Sequence, residues 1–189
     1  MTADKLDRLE SHVAAHFPEQ KRERICNALI LWCEPADVVD TLRKLRDEPG
    51  FDFRLFIDVT GVHYPERDKP FEVVYQLLSV HKNHRIRVKT MVDENTPVPS
   101  ITGLWKAADW FEREMYEMFG IMISGHPDLR RLLLDYDFEG YPLRKDFDVS
   151  GKWELRYDEA QQRIIKEPVN LSIPNRVFYG HATGDASKG

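Results

Sequence analysis

Between Phe53 and Val92 three β-type runs follow one another with almost no chain between them. They are FRLFIDVTGV (Phe53–Val62), FEVVYQLLSV (Phe71–Val80) and HRIRVKTMV (His84–Val92). A polar YPERDKP turn joins the first pair, and Lys82-Asn83 joins the second. Connections this short predict antiparallel pairing, because a parallel partner needs a crossover of a dozen or so residues. The third run alternates cleanly: Arg85, Arg87 and Lys89 point one way, Ile86 and Val88 the other. The basic row reads first as the wet face of a half-covered sheet, and second as a surface for an acidic partner.

Helical patterns bracket these strands. Leu6, Leu9, Val13 and Phe17 recur at helical spacing. His12 and His16 lie four apart, but with no HExxH pattern or third ligand they read as solvent-facing. Ile25–Cys33 (ICNALILWC) reads as one strand. Glu34-Pro35 opens a helix whose apolar stripe is Val38, Val39, Leu42 and Leu45, and Pro49-Gly50 stops it. NTPVPS is broken by prolines, and Ile101–Trp105 has room for one turn. A helix follows, with Asp109 as its cap and Glu112 completing a capping box. Its apolar side would be Trp110, Phe111, Met115, Met118 and Phe119, and Gly120 would end it in a left-handed turn before Ile121. Arg113 and Glu117 could pair across a turn, and Pro127 could start a short helix that buries Leu129, Leu132 and Leu133. Beyond Asp148 long periodic segments are lost; Trp153–Tyr157 and Arg163–Pro168 suit a hairpin, and HATGDASKG suits disorder.

The expected fold is α+β: two layers, with helices on one face of a mixed, largely antiparallel sheet, plus an extended C-terminal tail. Residues 1–148 would form the globular domain and 149–189 a tail that wraps partners. At 189 residues the chain can bury roughly 70% of its unfolded surface and needs no disulfide or metal staple. Its net charge of −5 argues against a general nucleic-acid binder. No apolar run approaches the ~20 residues that span a bilayer. MTADKLDRLE lacks a signal core and arginine enrichment, so the mature chain is expected in a cytoplasm, or in an organelle matrix after loss of a presequence. Cys26 and Cys33 are the only cysteines. Two thiols are too few for an iron–sulfur cluster or a structural zinc site; they are expected as ordinary buried thiols, with no redox centre and no metal site.

The charge-rich stretch EREMYEMFGIMISGHPDLRR (112–131) raises the choice between a pocket and a docking face. His126 beside Asp128 could be a base with its orienter, but no nucleophile motif, Gly-rich phosphate loop or GxGxxG accompanies it. Arg130 and Arg131 are adjacent and must diverge. FEGYPLRKDF (138–147) repeats the style, ending in Arg144-Lys145-Asp146. Guanidinium groups beside aromatics suit carboxylate pairing at interfaces. The docking candidates are thus Glu112, Arg113, Glu114, Glu117, His126, Arg130, Arg131, Arg144, Lys145 and Asp146, with no catalytic residue.

The block 112–147 closely resembles the signature of the C subunit, the 30 kDa family, of proton-pumping NADH:quinone oxidoreductase, respiratory complex I. The family pattern runs Glu-Arg-Glu, two residues, an acid, two apolars, six residues, His, three residues, Arg. Here it falls on Glu112-Arg113-Glu114, Glu117, Met118-Phe119, His126 and Arg130, and a second element falls on Gly140–Phe147. A weaker likeness runs upstream through FIDVTGVHYP and FEVVYQLLSV; Asp148 stands where many relatives have proline. The resemblance implies a cofactor-free, non-catalytic subunit of the peripheral arm. FMN, iron–sulfur clusters and quinone would lie on partner subunits. The neighbours would be the hydrogenase-large-subunit-like quinone-site subunit and nearby iron–sulfur subunits. The complex would sit on the cytoplasmic side of a bacterial inner membrane, or the matrix side of the mitochondrial one. Three alternatives remain: the equivalent subunit of a membrane-bound [NiFe] hydrogenase-type complex, a free-standing small enzyme using His126, and an RNA-binding module using Arg85, Arg87 and Lys89.

Overall fold

The computed structural model describes residues 3–26, 28–148 and 151–170. The C-terminal HATGDASKG stretch lies outside the described residues. The chain divides into two compact units, residues 1–147 and 148–189.

In the first unit the three central runs pair antiparallel. They are β3 (Leu55–His63), β4 (Phe71–Ser79) and β5 (His84–Val92). The tight β4–β5 link turns on Asn83 at φ 52°, a conformation asparagine tolerates. The expected strand at 25–33 is instead two strands, β1 (Arg22–Ile25) and β2 (Ala28–Trp32), paired antiparallel. The chain reverses at Cys26, with φ 50°. The charged RERI strand has no apolar alternation, so pattern alone gives it no strand signal. β2 then joins the far side of β5 in parallel, giving the order β1-β2-β5-β4-β3. The sheet is therefore mixed and largely antiparallel.

Three helices cover one face: α1 (Ala3–His16), α2 (Val38–Asp47, entered through a 3-10 turn at Pro35–Asp37) and α3 (Ala108–Phe119). Leu6, Leu9, Val13 and Phe17 from α1 and its exit, with Val38, Leu42 and Leu45 from α2, meet Leu29, Leu31, Ile86 and Val88 in one core. Burying each such side chain is worth about 1.5–3 kcal/mol. His12 is not solvent-facing as expected. Its ring packs at a tilt against Phe51, with centroids 4.4 Å apart, and its Nε2 is buried without a partner among the described residues. Gly50 makes room for it, since a Cβ there would run into that nitrogen. The thiols differ too: Cys26 is exposed and Cys33 half-buried.

Gly61 fixes where α3 lands. A Cβ there would lie 2.8 Å from Ile121 and 2.9 Å from the Phe119 ring, so glycine lets the helix end settle on β3. Between strands and helix, β6 (Val98–Pro99) pairs in parallel with β7 (Ile123–Ser124), just past α3.

The second unit is an antiparallel hairpin, β8 (Trp153–Asp158) and β9 (Arg163–Pro168), close to the expected ranges. Its turn is held by the Asp158 carboxylate, which accepts the Ala160 and Gln161 N–H groups at 2.9 Å. Trp153, Leu155 and Tyr157 share one face, with Ile164 opposite Tyr157, and all four are more than half exposed.

Candidate functional site

α3 departs from its expected start. It begins at Ala108, and Ala107 at the N-cap offers no side-chain bond. Asp109 is thus not a cap, and Glu112 closes no capping box. Trp110 is 66% exposed and lies off the apolar side; Met115, Met118 and Phe119 carry the burial. The helix ends as expected at Gly120, left-handed at φ 74°, with its N–H donated to the Tyr116 carbonyl at 2.9 Å.

The charged residues of the helix bind the chain's own backbone. Glu112 is 2% exposed. Its carboxylate accepts the Ile101 N–H and the Ser100 hydroxyl, both at 2.7 Å. Burial pushes this carboxyl above its ordinary range, opposed by those two bonds and by His126. Glu117, also buried, accepts the N–H of Leu132 at 2.9 Å and of Leu133 at 2.6 Å. Arg113 does the complementary job, donating to the carbonyls of Arg130 and Arg131 at 2.9 and 3.1 Å. One helix stripe therefore fixes both donors and acceptors of the 130–134 strip. The expected Arg113–Glu117 pair does not form, because both groups are used this way. The expected helix after Pro127 is absent for the same reason: the N–H groups it would need go to Glu117. Leu129 and Leu134 pack on the core, whereas Leu133 is 61% exposed.

His126 has a wholly buried imidazole. Its Nδ1 accepts the Asp128 N–H at 3.0 Å, which puts the proton on Nε2. That nitrogen faces the Asp109 carbonyl at 3.3 Å, with the Asp109 and Glu112 carboxylates at 3.6 and 3.7 Å. The Asp128 carboxylate does not orient the ring; it pairs with Arg130 at 2.9 Å. The base-and-orienter arrangement is therefore not present. His126 fastens the loop after β7 to the start of α3.

Arg131 donates to the Asp135 carbonyl at 2.9 Å, and so serves this fold. Arg130 diverges from it, 66% exposed in its pair with Asp128. Arg144 is an internal clamp. Its Nε donates to the Phe119 carbonyl at 2.6 Å and its Nη1 to Glu94 at 2.7 Å, while the guanidinium lies over Phe71 and Tyr141. The Leu143 N–H donates to the Met118 carbonyl at 3.1 Å, and the Lys145 N–H to His63 Nδ1 at 3.0 Å. The 141–145 stretch of chain thus supplies donors to the bare C-terminal carbonyls of α3.

Outward remain Glu114, Arg130, and the Lys145 and Asp146 side chains. Exposed apolar residues accompany them: Trp110, Met122, Leu133, Tyr136 and Leu143. An open cleft of about 950 Å³ lies along Trp32, Arg67, Glu72 and Lys89, and its lining includes none of residues 112–147. Among the described residues, no group of three or more His, Cys, Asp or Glu is arranged to hold a metal, and no helix is long and apolar enough to cross a membrane.

Residues 31–153 match the family described as respiratory-chain NADH dehydrogenase, 30 Kd subunit. The chain belongs to that family. It is 49% identical over 180 residues to the NADH-quinone oxidoreductase C subunit of Hyphomonas neptunium, covering 94% of this chain and 89% of that one. It is 54% identical over 144 residues to the corresponding NADH-quinone oxidoreductase protein of Caulobacter vibrioides, covering 76% and 73%. Among solved structures, a chain of the membrane-bound sulfane sulfur reductase, an archaeal respiratory membrane complex, shares the fold with TM-score 0.64 at 24% identity, over 76% of this chain and 85% of that one. Sequence reading missed Ser100 and Ile101, which donate to Glu112, His63, which accepts the Lys145 N–H, and Gly61, on which the α3 end packs. Their only signal was a glycine and a histidine inside β3, FIDVTGVH, where alternation would favour branched residues.

Proposed function

We propose that this chain is a cofactor-free, non-catalytic subunit of an NADH:quinone oxidoreductase. It would present a docking surface to neighbouring quinone-site and iron–sulfur subunits in the peripheral arm of the complex. The observation that carries this reading is how the signature's charges divide. Glu112, Arg113, Glu117, His126, Arg131 and Arg144 hold the chain's own loops rigid. Glu114, Arg130, Lys145 and Asp146 face outward among exposed aromatic and aliphatic side chains. A rigid, mixed apolar and charged surface suits protein recognition. Burial of His126, with both ring nitrogens engaged inside the chain, supports a structural and not a catalytic role.

The test replaces Arg130 and Lys145 with alanine together. The isolated variant should melt within about 0.5 kcal/mol of the wild type, since both side chains are exposed. Assembled complex on native gels should fall, while quinone-reductase turnover per assembled complex stays near normal. Full assembly with turnover lost by orders of magnitude would overturn the reading. Affinity purification in the same cells identifies the partners and separates an NADH-linked complex from a hydrogenase-type one.

A further inference from the structure

The helix-free face of the sheet is not plainly hydrophilic. The strand registers arrange it in rows. Leu55, Leu78 and Arg85 form the first; Asp58, Gln76, Arg87 and Ile30 the second; Thr60, Val74, Lys89 and Trp32 the third. A bulge between Phe56 and Asp58 accommodates Ile57 as the extra residue. Leu55 is 44% and Ile57 38% exposed, and neither belongs to the core.

The three basic residues of β5 divide sharply on this face. Lys89 is neutralised: it donates to the buried Glu72 carboxylate at 2.7 Å, which also takes Arg67 at 2.7 Å. Arg85 and Arg87 have no acceptor among the described residues. Asp58 shares the row of Arg87, but Gln76 stands between them, two strand spacings of roughly 10 Å separate their backbones, and the two side chains do not pair. Two guanidinium groups on alternate residues of one strand, beside a Leu55, Ile57 and Leu78 patch, therefore lack the carboxylates their geometry suits.

We propose that this face takes an acidic polypeptide segment of another subunit, with Asp or Glu residues meeting Arg85 and Arg87 and apolar residues covering Leu55, Ile57 and Leu78. The inference rests on the multisubunit reading above, but concerns a face distinct from residues 112–147. Polypeptide is favoured over nucleic acid or an anionic lipid surface on two grounds. The aliphatic patch has no use against a phosphate backbone, and the chain carries net charge −5 with Asp58 on the same face. Arginine beside apolar surface is the composition of protein interfaces.

The test has two arms in cells that assemble the complex. A benzoylphenylalanine crosslinker is placed at position 57 or, separately, at position 133 on the signature side. Position 57 should crosslink to an Asp- or Glu-containing peptide of another subunit. Crosslinking at 133 with none at 57 overturns this proposal and leaves the docking reading standing; none at either position removes both. A crosslink from 57 to nucleic acid or phospholipid also overturns it. In the second arm, R85E/R87E should lower assembled complex about tenfold, the loss expected when a like charge replaces a paired one at an interface. The control R43E, on the outer side of α2, should leave assembly unchanged. The isolated R85E/R87E chain should keep its wild-type melting curve, and the uncharged R85Q/R87Q should give an intermediate loss. Wild-type assembly of R85E/R87E overturns the proposal.

Discussion

Buried carboxylates are the least legible feature of this chain at the scale of single residues. Glu112 and Glu117 are two of the three glutamates in EREMYE, and nothing in their spacing distinguishes them from the exposed Glu114. What separates them is the set of N–H and hydroxyl donors at residues 100–101 and 132–133, distant in sequence. Because burial raises the Glu112 carboxyl, the folded chain holds that proton more tightly than the unfolded one. Above the ordinary carboxyl value of 4.5 the unfolded state therefore binds fewer protons, and this group makes stability fall as pH rises toward the folded value. Glu112→Gln keeps acceptor and shape but cannot titrate. Urea unfolding from pH 5 to 8 should show a shallower loss for Glu112→Gln than for the wild type; a steeper one would contradict a raised carboxyl. Glu117→Ala strips the part-buried Leu132 and Leu133 N–H groups of their acceptor and should cost about 1–3 kcal/mol. The thiols offer a cleaner contrast. Burial, with Asp37 and Glu34 nearby, pushes Cys33 up to about 12, whereas Cys26 lies exposed at a turn. Iodoacetamide at pH 8 should label Cys26 and spare Cys33, giving one adduct per chain by mass spectrometry.

Among the elements, β3, β4 and β5 were readable because alternation and short turns are local signals. α1, α2 and the Gly120 stop were readable for the same reason. The β1–β2 hairpin, the parallel β2–β5 contact and the β6–β7 bridge were not. Each depends on a partner that pattern does not point to, and RERI and VP carry no periodic trace. Gly61 and Gly120 are where one element constrains another. Gly61→Val should drive the α3 end off β3 and cost about 2 kcal/mol or more, seen as a lower urea midpoint with an unchanged slope. Gly120→Ala faces both left-handed strain and collision with Tyr141 and Arg144, and should cost about 1–2 kcal/mol.

For the whole molecule, the two units differ in self-sufficiency. The first has a continuous core; the second is a hairpin whose Trp153, Leu155, Tyr157 and Ile164 side chains lie open. An isolated two-stranded hairpin is marginal in water. Leu155→Ser with Tyr157→Ser should leave melting of the first unit unchanged, yet lower the amount of assembled complex on native gels. The α+β class and family signature were legible in full, because both rest on long contiguous stretches. The outward side of that signature was not, because orientation is decided by which charges the chain itself consumes. The strand order has a further meaning when the chain is read in time. β2 must wait for β5, and at roughly 5–20 residues per second a ribosome takes on the order of 3–12 s to travel from Trp32 to Val92. Throughout that interval the β1–β2 hairpin has no central sheet to join, and Leu29 and Leu31 lack Ile86 and Val88 beside them. The nascent chain therefore passes through a sticky stage fixed by topology, and a message truncated between these two strands should yield a product that depends on chaperones and ends in proteolysis.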